Sequence, residues 1–350
     1  MEGRSGIIGA GSMLVDHVQR ISHWPDQGWL ADIQHSEKSS GGAALNVLFT
    51  LARMQVNLPL AGVGMIGEDS DGDFILQLLD EHHIDRQFVL RTRSINTAMT
   101  QVMTTPDGQR TFFHARGANG QLDLPHFAAV TTSHRIFHLG YLLLLDSLDV
   151  PDAEFGTRSA RLLAQMQQRG YLTSLDLVSR VGEYRPLVVP ALRWLDYLVI
   201  NELEAQALTG VSLRTPQGLA APAAFAEAAT WLLQQGVRQR VVIHAPEGAW
   251  GQQADGEGCW QPAWCLAPEE IVGSVGAGDA FCAGVLYASH EGWSLTDTLR
   301  LAHTCACFNL HAANALDGTR PLAEMQRWMA QAICVSRAAD EGRITSAEKT

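Results

Sequence analysis

No block of lysine and arginine occurs in this sequence: 25 basic residues are set against 37 acidic ones, a formal net charge of -12 at pH 7. Nucleic-acid binding rests on neutralising backbone phosphates, so a polyanionic partner is excluded. A single nucleotide is not, because backbone N–H groups and a metal ion can hold its phosphates. No apolar run approaches the roughly 20 residues of a membrane span. Met1-Glu2-Gly3-Arg4-Ser5 leads straight into a short apolar strand and has no signal-peptide core. Six cysteines (Cys259, Cys265, Cys282, Cys305, Cys307, Cys334) include no CxxC pair. That argues against structural zinc and for reduced, mostly buried thiols. No membrane association is expected, and the expected compartment is the cytoplasm.

Several familiar signatures are missing or broken. No Gly-Lys-Ser/Thr occurs, so there is no P-loop. Gly9-Ala10-Gly11 opens like a dinucleotide fingerprint, but Leu14 stands where the third glycine belongs, and Asp16 comes too early for the ribose acid. The thirteen histidines are scattered, and the adjacent His82-His83 lacks the spacing of a helical ligand pair.

What is present is a large apolar fraction, 46% of 350 residues, enough for one sizeable core. Strand-like runs at Ile7–Gly9, Leu60–Val63, Ile136–Leu139, Leu172–Leu175, Tyr197–Ile200 and Val241–His244 alternate with helical patterns. The helices are expected at Leu45–Ala52, Phe74–Glu81, Phe155–Arg169, Ala223–Gln235 and Ala280–His290. Such alternation predicts a mostly parallel sheet with helices on both faces, and ligands beyond the carboxyl ends of its strands. Ala98–Thr104 and Arg110–Ala115 break the rhythm as a hairpin around Pro106-Asp107-Gly108. One domain is expected over 1–335, with a flexible, charge-rich tail over 336–350.

The most informative stretch is Gly273-Ser274-Val275-Gly276-Ala277-Gly278-Asp279-Ala280-Phe281, running into a helix. Glycines before a helix let the backbone turn tightly and aim free N–H groups at one spot, where the helix dipole also favours an anion. Asp279, in the first turn, would stand beside that anion and could take a proton from an attacking hydroxyl. Positioning, electrostatics and one base are what phosphoryl transfer requires. A short Gly-x-Gly-Asp turn often does no more than start a helix; the longer string is what distinguishes this one.

Gly276-Ala277-Gly278-Asp279-Ala280-Phe281 resembles the C-terminal signature of the ribokinase-like (PfkB) carbohydrate kinases. Ser40-Gly41-Gly42-Ala43-Ala44-Leu45-Asn46, followed by Gly62-Val63-Gly64-Met65-Ile66-Gly67-Glu68-Asp69, is similar to the N-terminal glycine motif of that family. The resemblance spans Gly6 to Met329. It implies a three-layer α/β/α fold with a mostly parallel central sheet and a small β lid from segments near 14–40 and 96–118. It also implies an ATP-dependent kinase acting on a hydroxyl of a sugar or sugar-like substrate, with Asp279 as base and an anion hole at Gly276, Ala277 and Gly278. Asp16, Gly41, Gly42 and Asn46 would hold the substrate. Asn201, Glu204, His244 and Gly248 would face ATP, with Glu204 holding Mg²⁺ through water. Gly117-Ala118-Asn119 matches the lid region, and exposed lid strands suit a homodimer.

Some positions depart from the family pattern. Gly273 replaces the usual acid, which puts a monovalent-cation requirement in doubt. Ala245 replaces a glycine near the nucleotide, and Leu14 replaces a polar sugar contact. Asp176-Leu177-Val178-Ser179-Arg180 follows an Asp-x-Asn-x-Arg pattern only in part. A nucleoside kinase of the same fold and a non-catalytic sugar or nucleotide binder remain as alternatives.

Overall fold

The computed structural model describes residues 3–180 and 182–332, so the tail expected at 336–350 lies outside the described residues. The first strand, β1 (Ile7–Gly11), is buried along its whole length. Such a strand needs neighbours on both edges and helices on both faces. β2 (Leu14–Ile21) and β3 (Ile33–Gly41) form an antiparallel pair outside the main sheet. α1 (Ala43–Arg53) is buried from Ala43 through Leu51 and lies on β1. β4 (Leu60–Gly67), α2 (Ser70–Glu81) and β5 (Asp85–Thr92) follow, with Asp69 capping α2 by accepting the Gly72 N–H at 2.8 Å.

β6 (Ala98–Thr104) and β7 (Arg110–Ala115) are the expected hairpin, closed by the Thr105 N–H to Gln109 carbonyl bond of 3.0 Å and by Gly108 at φ +83°. β6 runs parallel to β2 with Asp16 opposite Thr100. The result is a separate four-stranded sheet of order β3-β2-β6-β7. Both expected lid segments contribute to it.

The rest of the chain supplies β8 (Ile136–Leu142), the two-residue strands β9 (Pro151–Asp152) and β10 (Gly156–Thr157), α3 (Arg158–Gln168), β11 (Leu172–Leu177), α4 (Arg185–Leu192), β12 (Tyr197–Asn201), α5 (Glu202–Thr209), α6 (Pro222–Gln234) and β13 (Arg240–Ala245). An antiparallel pair, β14 (Gly248–Gln253) and β15 (Gly258–Pro262), then leads to α7 (Ala277–His290), α8 (Leu295–Leu310) and α9 (Leu322–Met329). The main sheet has the order β15-β14-β13-β12-β11-β8-β1-β4-β5 and is parallel from β13 to β5. One apolar core lies under α3 to α6 and a second under α1, α2 and α7 to α9. The fold is therefore the expected three-layer α/β/α arrangement.

Two helix starts differ from expectation. α3 begins at Arg158 rather than at Phe155, because the Asp152 carboxylate accepts the N–H groups of Glu154 and Phe155 and holds a turn there. Thr157 then caps the helix by accepting the Ala160 N–H. α7 begins at Ala277, three residues earlier than the apolar pattern indicates, with Asp279 in its first turn as expected. The apolar pattern alone did not mark β5, β14, β15, α8 or α9.

Candidate active site

The carboxyl ends of β1, β8, β11, β12 and β13 meet the amino ends of α1, α5 and α7 along one edge of the main sheet. Two glycines fix the helix starts. Gly42, before α1, has φ +88°, and a Cβ there would lie 2.4 Å from the Ser12 carbonyl oxygen. Gly276, before α7, has φ +77°, and a Cβ would lie 2.5 Å from that of Ala315. Both conformations are left-handed, and both approaches exclude a side chain. Gly42 thus seats α1 against the β1–β2 turn. Gly41 leaves room for the Asp16 carboxylate, since a Cβ there would be 2.7 Å from Oδ2.

The helix starts bring together residues far apart in sequence. Asn46 Nδ2 donates to Asp279 Oδ2 at 2.7 Å, joining the two glycine motifs through one buried hydrogen bond. Tyr141, at the end of β8, donates its phenol O–H to the same oxygen at 3.1 Å. Asp279 is only 5% exposed. Burial first, and then the negative charge of Asp176, push its carboxyl up to about 7, while the two donors act against the rise. Asp16 is also buried, and desolvation lifts it to about 6 against a hydrogen bond from Thr100.

On the other side, α5 opens with a reciprocal cap: Glu204 N–H to Asn201 Oδ1 and Asn201 N–H to Glu204 Oε2, both 3.0 Å. Ser179 Oγ donates to Glu204 Oε1 at 2.9 Å and receives Asn201 Nδ2 at 2.8 Å. Glu204 is buried, and burial, with the charge of Asp176 adding to it, raises its carboxyl to about 7 against the hydrogen bonds from Asn201 and Ser179. Glu204, Asp176 and Asp279 line a small cavity of about 140 Å³, together with Tyr141, Ser179 and Asn201. A cleft of about 600 Å³ adjoins it, walled by His244, Ala245, Trp264, Phe281, His303 and Leu310 among others. Burial holds His244 down to about 4 and His303 to about 3, so both are neutral, and each ring packs on Phe281. Gly278 and His244 border both spaces.

Ala277 and Gly278, the first residues of α7, line the cleft, and Gly278 lines the small cavity as well. The Ala277 N–H is bound to the Ser274 carbonyl at 3.3 Å, and the Ala280 N–H to that of Gly276 at 2.8 Å.

Three positions named from the sequence have definite settings in the fold. Gly248 is not among the residues lining the cleft; it pairs with Ala245, and a Cβ there would lie 2.5 Å from the Trp260 ring. Asn119 belongs to a buried turn and not to the second sheet: it accepts the Met13 N–H at 3.1 Å and donates to Ser12 at 3.2 Å. At Gly273 a Cβ would lie 2.7 Å from the Ala312 carbonyl oxygen, so the 312–313 loop occupies the space an acid would need. Ala245, by contrast, does line the cleft and narrows it by its methyl group.

The residues that sequence reasoning missed are Tyr141 and the aromatic wall of Trp264, Phe281 and His303. Only the location of Tyr141, directly after a parallel strand, could have drawn attention to it.

The pattern described as pfkB family carbohydrate kinase matches residues 10–320. A ribokinase of Staphylococcus aureus (strain COL) is 22% identical over 245 residues, 70% of this chain and 74% of its own. A 2-dehydro-3-deoxygluconokinase of Bacillus subtilis (strain 168) is 24% identical over 313 residues, 84% of this chain and 87% of its own. Among solved structures, Arabidopsis thaliana ribokinase complexed with ribose and ATP superposes with a TM-score of 0.77 at 21% identity, covering 93% of this chain and 99% of that one. Among the described residues no helix is long and apolar enough to cross a membrane. With nearly the whole chain matched and the glycine-started helices meeting at one buried aspartate, this protein belongs to the pfkB family of carbohydrate kinases, ATP-binding phosphotransferases with an alcohol acceptor.

Proposed function

We propose that the chain transfers the γ-phosphoryl group of ATP to a hydroxyl of a sugar or sugar-like acceptor, with Asp279 as general base. The observation that carries this reading is the position of Gly278 and Asp279. Gly278 borders both the cleft and the small cavity, and Asp279 beside it opens into the cavity alone. ATP fits the cleft, its base against Trp264, Phe281 and the neutral imidazoles, and its γ-phosphate toward the N–H groups of α7. The acceptor lies between the two sheets near Asp16 and Asn46, with Gly41 and Gly42 giving close access to the backbone.

The acceptor oxygen attacks phosphorus as its proton passes to Asp279. The O–P bond to the β-phosphate breaks, and ADP leaves with that electron pair. A carboxylate raised toward neutrality suits this task, being largely ionised above pH 7 yet basic enough to take the proton. The N–H groups stabilise charge on the transferred group.

Mg²⁺ fits the oxygen donors around Glu204, a buried carboxylate whose partners, the Ser179 hydroxyl and the Asn201 N–H, are neutral donors. Asn201 and Glu204 would hold it through water, and it would neutralise phosphate charge. His244 faces the nucleotide, whereas Gly248 shapes the hairpin behind it. No acid stands at Gly273, so we do not assign a monovalent cation to the site.

Closure of the second sheet over the acceptor would exclude water and limit ATP hydrolysis. On that sheet and its β2–β3 connection, Trp29 is 78% exposed, Leu30 80% and Phe112 56%, which supports its use as a homodimer contact. The five cysteines among the described residues are free thiols, and we place the protein in the cytoplasm on that ground.

The test is ADP release from ATP·Mg²⁺ over a panel of sugars, sugar acids and nucleosides, beside Asp279→Asn. Turnover of one class, reduced about 10²–10⁴-fold in the variant, is expected for loss of a positioned base. An Asp279→Asn enzyme with undiminished kcat would remove the assigned role.

A further inference from the structure

The backbone after β8 takes an unusual course. Tyr141 has φ +56° and Leu143 φ +85°, two non-glycine residues in the left-handed region within three positions. Such residues persist only where surrounding contacts dictate them, and they concentrate at functional sites. Here two aspartates dictate them. Asp176 Oδ1 accepts the Tyr141 N–H at 2.7 Å, and Asp149 accepts the N–H groups of Leu143 and Leu145 at 3.1 and 2.9 Å. Asp176 is itself held from behind: His138 Nε2 lies 3.3 Å from its Oδ2, and His138 Nδ1 lies 3.1 Å from Ser174 Oγ. The chain Ser174–His138–Asp176 therefore fixes a strained tyrosine whose phenol reaches the Asp279 carboxylate.

Every charged group facing Asp279 is acidic. Asp16 faces it from β2 and Asp176 from β11, and Glu204 of α5 lies across the small cavity. Cys282, one turn further along α7, is a thiol pushed well up by burial, and its sulfur lies 4.0 Å from His138. His244 is held neutral by burial. None of the residues lining the cavity is a lysine or an arginine. Two neutral donors, Asn46 from α1 and Tyr141 from β8, converge on Oδ2 and leave Oδ1 to take the acceptor's proton.

We infer that Tyr141 is a positioning residue for the base: with Asn46 it pins Oδ2 of Asp279, turns Oδ1 toward the acceptor, and holds the carboxylate ionised against the aspartates around it. This rests on the assignment of Asp279 as base. The phenol is suited to the role, because burial and then the charges of Asp279 and Asp176 push it well above the usual tyrosine range, so it remains a donor throughout the working pH range. Asp176 acts in two opposed ways. Its backbone bond aims the tyrosine, and its charge disfavours ionisation of Asp279.

The opposition provides the test. The Tyr141 hydrogen bond favours the charged form of Asp279, so Tyr141→Phe should raise the pKa of Asp279. Asp176→Asn keeps a carbonyl oxygen for the Tyr141 N–H and removes a negative charge, so it should lower that pKa. The carboxyl can be titrated without any acceptor, by ¹³C NMR of aspartate-labelled protein with the Asp279 signal assigned through Asp279→Asn. Shifts of about one pH unit in opposite directions are expected, each a tenfold change in ionised fraction on the acid side. With an acceptor in hand, the acid limb of kcat should move with the NMR values, and the deficit of Tyr141→Phe should shrink as pH rises while KM for the acceptor stays within about twofold. A purely structural tyrosine would give a uniform loss at all pH values. That pattern, or an unmoved Asp279 titration in Tyr141→Phe, would overturn the inference. Opposite titration shifts in a protein that turns over no acceptor would instead count against the kinase reading and leave the positioning role standing.

Discussion

A carboxyl kept in a buried, acidic pocket should weaken the fold, and the size of that effect can be worked out. Asp279 has its carboxyl raised from 3.8 to about 7, chiefly by burial. Below the unfolded value the group is protonated in both states and costs nothing. Between the two values the unfolded chain loses a proton that the folded chain keeps, so stability falls as pH rises, and above about 7 the full penalty applies. Roughly three pH units at 1.36 kcal/mol each set that penalty at about 4 kcal/mol as an upper figure. Asp279→Asn replaces the carboxyl with a neutral group of the same shape that still accepts from Asn46 and Tyr141. The variant should therefore be more stable than the parent at pH 8, by up to about 8 °C in Tm at ~2 °C per kcal/mol. Near pH 4 the two proteins should unfold together. The assay is thermal unfolding of the ligand-free protein across pH 4–8. A variant that gains nothing at pH 8, or gains equally at pH 4, would refute the argument from desolvation.

Two further outcomes follow from packing. Gly276→Ala forces a side chain into a left-handed backbone position and against Ala315. It should cost about 1–3 kcal/mol in unfolding free energy and raise KM for ATP more than KM for the acceptor. Trp29→Glu, on the exposed apolar part of the second sheet's β2–β3 connection, tests the proposed homodimer: it should leave the fold intact and turn a dimeric parent monomeric in light scattering, whereas a parent that is itself monomeric would remove the proposal and a variant dimer of unchanged affinity would place the contact elsewhere.

What the sequence revealed and what it hid divide along a physical line. Gly42 and Gly276 were legible because a left-handed backbone pressed against another chain segment accepts only glycine, so each leaves a signature. Asp279 was legible through its glycines, and Glu204 through the resemblance of Asn201-Glu202-Leu203-Glu204 to a family element. Tyr141 was not, since its φ of +56° is imposed by Asp176, thirty-five residues away, and not by any local preference. The parallel pairing of β2 with β6 was hidden for the same reason: nothing in either strand names a partner more than eighty residues off. Gly248 was singled out by the resemblance alone, and nothing in its own sequence announces the packing that requires a glycine there, against the Trp260 ring.

The two glycine motifs are better understood as one device than as two binding loops. Each starts a helix at a fixed distance from a neighbouring backbone, Gly42 over Ser12 and Gly276 over Ala315. α1 and α7 then pack side by side, and the first polar contact between them is the bond from Asn46 to Asp279. Moving either helix start by an ångström would break that 2.7 Å bond, so the orientation of the Asp279 carboxylate depends on two places where no side chain fits. The lining of Gly273 by the 312–313 loop extends the same principle. Where an acid would need room stands the loop carbonyl of Ala312, and an acid placed there by substitution would have to displace that loop before it could hold any ion.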